Sequence, residues 1–83
     1  MSTVTPLETI PDRVRDTPGG DTERARAVSD DLRRLLERLP ADGVAALVTA
    51  VRAADAVWRE RPGPAAADRL AGLVEDLAVA VDP

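Results

Sequence analysis

The side chains able to do chemistry in this chain are carboxylates and guanidinium groups. It holds 15 Asp and Glu against 11 basic residues, with no His and no Cys. Every basic residue is Arg, and Lys and Tyr are absent. Such a set lacks a base that titrates near neutral pH, soft metal ligands and activated nucleophiles. What remains is carboxylate work: paired acids, or a hard-cation site. The adjacent acids Asp30–Asp31 and Glu75–Asp76 point ~100° apart on a helix, so neither pair converges on one locus. A magnesium site wants acids at i, i+3 or i+4 on facing helices, and Asp68, Glu75 and Asp76 do not give that arrangement. Ser29 has no neighbouring base, and Gly19–Gly20 lacks the lysine and preceding strand of a phosphate loop. No enzyme, cofactor or metal is therefore expected.

The elements that carry these groups are helices. Of the 83 residues, 45% are hydrophobic and 31% charged, a globular balance for one small domain. Pro6, Pro11, Pro18 and Gly19–Gly20 punctuate residues 1–20, which reads as a mobile, mostly extended arm. Within it, Thr5-Pro6-Leu7-Glu8 fits a capping box, and Leu7, Ile10 and Val14 share one side of a turn or two that Pro11 would limit. From Asp21 or Thr22 a helix is expected to about residue 39, with Val28, Leu32, Leu35, Leu36 and Leu39 as its apolar stripe. Its other face alternates Glu23, Arg26, Asp30, Arg33, Arg34 and Glu37, a pattern that reads as solvated. Asp30–Arg34 and Arg33–Glu37 are spaced to pair within the helix, each for ~0.3 kcal/mol.

Pro40 ends that helix, and Asp42 can cap the next, expected over 42–60. Val44, Leu47, Val48, Val51, Ala54 and Trp58 line it. Asp55 borders the stripe, where it reaches solvent or an Arg, or makes a buried polar contact that fixes pairing. Val57 falls off the stripe. After Pro62-Gly63, a third helix is expected over 64–81, on Ala66, Leu70, Leu73, Val74, Leu77 and Val81, with Val79 and Ala80 widening the apolar surface. The expected fold is all-α: a small three-helix up-down-up bundle with a mobile N-terminal arm.

The helix–Pro-x-Asp–helix arrangement from Leu35 to Val51 resembles the dimerising helical docking domains of modular synthases. The glycine two residues after the tryptophan in small secreted WXG-type hairpins has no counterpart after Trp58.

Net charge is −4 with pI ≈ 4.7, which disfavours sequence-independent nucleic-acid binding. The third helix, with Arg69 against Asp68, Glu75 and Asp76, would make a poor recognition helix. There is no apolar run long enough to span a membrane and no secretory h-region before Gly20, so the expected location is the cytoplasm. A thin Ala/Val/Leu core calls for a partner. The expected function is a non-catalytic protein–protein interaction module, an accessory subunit, docking element or adaptor, as a homodimer or hetero-oligomer. Leu7, Ile10, Val14, Val57, Trp58 and Val79 are the expected partner-binding residues. The alternative is an acidic inhibitor of the antitoxin or immunity type, and a carboxylate-dependent metal-binding subunit ranks below it.

Overall fold

The computed structural model describes residues 7–39 and 43–81. Described residues of the chain form four α-helices and no strand: α1 (Ile10–Asp16), α2 (Thr22–Arg38), α3 (Ala45–Glu60) and α4 (Pro64–Val81), with a 3₁₀ turn at Leu7–Thr9 leading into α1. The all-α class is as expected, but the count is four helices, not three. Asp21 caps α2 by accepting from the backbone N–H of Arg24 at 3.1 Å. Pro64 opens α4, where its missing N–H would have had no partner in any case. The proposed caps at Thr5 and Asp42 lie outside the described residues.

The additional helix comes from the segment expected to be an arm. Pro11 sits in the first turn of α1 and so starts that helix instead of breaking it. Thr17 ends it, its backbone N–H donating to the Val14 carbonyl at 3.2 Å and its hydroxyl to the Arg13 carbonyl at 2.8 Å. Gly20 then turns at φ +86°, a conformation that side chains resist. Its N–H donates to the Pro62 carbonyl at 3.0 Å, which ties the α1–α2 turn to the α3–α4 loop at one end of the bundle.

Charged contacts fix the directions. Arg15 near the end of α1 forks onto Glu75 of α4, Nη1 to Oε2 at 3.1 Å and Nη2 to Oε1 at 3.2 Å. It also reaches Asp68, nearer the start of α4, at 3.6 Å. Arg13 reaches across to Asp31 of α2 at 2.9 Å. Ser29 faces Arg59 while Arg33 faces Asp55, so α2 and α3 run antiparallel. α4 packs against α1 and α3, and α2 against α3 and, more lightly, α1.

Leu7, Ile10 and Val14 therefore enter the core. Ile10 and Val14 are wholly buried beside Leu32, Val51, Trp58, Leu70, Val74 and Leu77. Because α4 has neighbours on two sides, its deepest line is Ala67, Leu70, Ala71, Val74 and Leu77. The expected members Ala66, Leu73 and Val81 are only partly buried. Ile10→Ala should cost ~2–4 kcal/mol in urea-monitored unfolding, the range for truncating a buried aliphatic side chain. A segment lying free of the domain would show no loss.

The Arg15–Glu75 pair contributes less. Its hydrogen bond holds the Glu75 carboxyl below the ordinary carboxylate value, against an opposing effect of desolvation, and raises the Arg15 guanidinium. A carboxyl with a lower pKa folded than unfolded stabilises fully above its unfolded pKa and loses that contribution as pH falls through its folded one. Both groups are exposed to solvent. Glu75→Gln should thus lower the thermal midpoint slightly at neutral pH and low salt. The difference from the parent should close in strong salt and at pH below the carboxylate range.

Candidate functional site

The antiparallel α2–α3 pair leaves a groove of about 820 Å³ along one side, lined by Arg26 and Arg33 of α2 and by Val57, Arg59, Glu60 and Arg61 at the end of α3. It is built from the polar face of α2, which the alternating charges had suggested was merely solvated. The ion pairs explain the difference. Asp30 and Arg33 do not pair along their own helix. Arg33 donates through Nε to Asp55 Oδ2 at 2.9 Å, and Asp30 accepts from Arg59 Nη1 at 3.0 Å. The same nitrogen lies 3.3 Å from the buried Ser29 hydroxyl oxygen. Arg34, expected to pair with Asp30, reaches Asp31 at 3.8 Å.

Asp55 is the anchor of this arrangement. Its side chain is 1% exposed, against 44% for Arg33. A buried carboxylate keeps its charge at high cost without a partner, so the Asp55–Arg33 contact fixes the guanidinium in place. Asp55 is thus a buried polar contact between two helices of one chain. Its second oxygen, Oδ1, is buried with no hydrogen-bond partner among the described residues, as is the indole Nε1 of Trp58 one turn further along α3.

Guanidinium groups remain protonated throughout the physiological range and offer several N–H donors in a planar fork. Arg33 engages Nε, and Arg59 engages Nη1, which leaves other donors of each fork without a partner among the described residues. Arg26 and Arg61 make no ion pair or side-chain hydrogen bond among the described residues. The arrangement can bind and orient an anion.

The six residues expected to meet a partner divide in two. Leu7, Ile10, Val14 and Trp58 are in the core, Trp58 wholly buried, and they offer no surface. Their apolar bulk is more strongly stabilised by the other helices than by an exposed position. Val57 is 62% exposed and Val79 is 73% exposed, the two large hydrophobic side chains left outside among the described residues. They do not meet. Val57 borders the arginine groove, whereas Val79 lies with Glu8, Glu75 and Ala78 along the α1–α4 edge. The arginines of the groove were not among the expected site residues. Arg59 and Arg61 flanking Trp58 were the available signal, and they become informative only once the register of α2 on α3 is known.

Among the described residues no cluster of three or more His, Cys, Asp or Glu side chains is placed to hold a metal ion. No helix among them is long and apolar enough to cross a membrane. Comparison with protein-family models, with curated proteins and with solved structures finds no match.

Proposed function

We propose that the protein is a non-catalytic protein–protein interaction module of the cytoplasm, working as a small accessory subunit, docking element or adaptor. The observation that carries this reading is the α2–α3 groove, where fixed guanidinium groups stand beside the exposed Val57. Charged donors around an apolar foothold are the composition of a recognition surface, and Arg is enriched at such sites. The bundle itself supports a heteromeric partner over a second copy. Leu7, Ile10 and Val14 add apolar bulk to the core from within the chain, which is the contribution a second copy was expected to make. Affinity co-purification of the full-length protein from its native host is the test. A stoichiometric partner retained by the parent and lost on Val57→Asp supports the reading. Retention of nothing by the parent contradicts it.

A further inference from the structure

We propose that the α2–α3 groove binds an acidic peptide segment of a partner protein, with carboxylates on Arg26, Arg33, Arg59 and Arg61 and one apolar side chain on Val57. The inference rests on the interaction-module reading and names its partner's chemistry.

Charge is the first argument. The chain carries net charge −4, yet four arginines meet at this groove. Asp55 and Asp30 pair with Arg33 and Arg59, and with Glu60 on the lining the four guanidinium groups still outnumber the three carboxylates, the excess resting on Arg26 and Arg61. A positive focus on an acidic protein attracts a short acidic segment, while the remaining surface repels long polyanions and so disfavours nucleic acid.

Preorganisation is the second. Asp55 behind Arg33 and Asp30 beside Arg59 hold two guanidinium groups while part of each fork stays open. Less side-chain freedom is then lost when a carboxylate arrives. Arg26 and Arg61 have no ion pair among the described residues to give up.

Size and polarity are the third. A volume of about 820 Å³ falls in the range that accommodates several side chains. Val57 at 62% exposure supplies the apolar contact that a lone anion would not use.

The test is fluorescence anisotropy with a fluorescein-labelled Glu-Glu-Leu-Glu-Glu-Leu-Glu-Glu peptide at low ionic strength. Controls are the same peptide with Lys at every Glu and a labelled oligothymidylate. The intact protein should bind the acidic peptide, bind neither control, and lose affinity as salt rises. The double variant R26E/R61E, which removes no internal ion pair, should bind roughly tenfold or more weakly, as expected for lost charge-assisted hydrogen bonds. R38E/R69E, with the same change in net charge away from the groove, should bind like the parent. No binding by the parent, equal binding of the oligothymidylate, or equal loss in both double variants overturns the proposal. A dimer in sedimentation that R26E/R61E alone dissociates also overturns it, by making a second copy the occupant. Co-purification with R26E/R61E separates the two readings: a partner still retained by this variant but lost on Val57→Asp refutes the acidic segment and leaves the interaction module standing.

Discussion

Trp58→Ala should leave the protein largely unfolded, or close to it, at room temperature. The side chain is the largest in the core and is wholly buried. Truncating a buried Trp costs ~3–5 kcal/mol through lost transfer free energy and the cavity left behind. Small domains often have only ~5 kcal/mol in all. The companion variant Trp58→Phe makes the expectation specific. Phe keeps most of the apolar contact and drops an indole N–H that has no hydrogen-bond partner among the described residues, so its cost should be much smaller. Urea unfolding followed by far-UV circular dichroism measures both. A small loss for Trp58→Ala would mean that the indole is on the surface, available to a partner.

The second large effect is an asymmetry within one ion pair. Arg33→Ala should destabilise by ~3 kcal/mol or more, because it leaves a buried carboxylate without its counter-charge. Asp55→Leu should be close to neutral. It replaces the buried charge with an apolar side chain of the same branching, and Arg33, at 44% exposure, can turn to water. Chemical denaturation of the two variants gives the comparison. Equal losses would show that Asp55 is hydrated and that Arg33 is not held by a buried charge. Asp55→Leu has a second consequence. A released Arg33 should weaken acidic-peptide binding without unfolding the protein, since the groove would lose one of its fixed guanidinium groups.

The three long helices were legible because local signals agreed. The Asp21 cap, the Pro62-Gly63 break, Pro64 at a helix start and unbroken stripes through Leu32, Val51 and Leu70 all point to the same elements. α1 was not legible. Pro11 and Pro18 carry the same local meaning in an arm as at the two ends of a short helix. What decides between them is the burial of Ile10 and Val14 against α4, more than fifty residues later in the chain. The core looked thin because its side chains are mostly Ala, Val and Leu, and the folded chain adds Leu7, Ile10 and Val14 to them.

The site was legible only in part. Val57 could be seen as an exposed valine off the stripe. The groove beside it depends on pairing between helices. Spacing along α2 matched Arg33 with Glu37 and Asp30 with Arg34, whereas the folded chain gives Arg33 to Asp55 and Asp30 to Arg59. Pairs four apart on a solvated helix contribute only a few tenths of a kcal/mol. A nearby buried carboxylate outweighs that contribution, and no periodicity in α2 announces it.

The N-terminal segment is a structural helix of the domain, with Leu7, Ile10 and Val14 in the core. Hydrogen–deuterium exchange of the free, full-length protein under native conditions tests it most directly. Protection of amides in Ile10–Asp16 that approaches that of α4, and falls together with it as denaturant is added, is the predicted result. Complete exchange of that segment within seconds, while α2, α3 and α4 stay protected, would show that α1 does not belong to the cooperative fold. It would return Leu7, Ile10 and Val14 to solvent and to any partner.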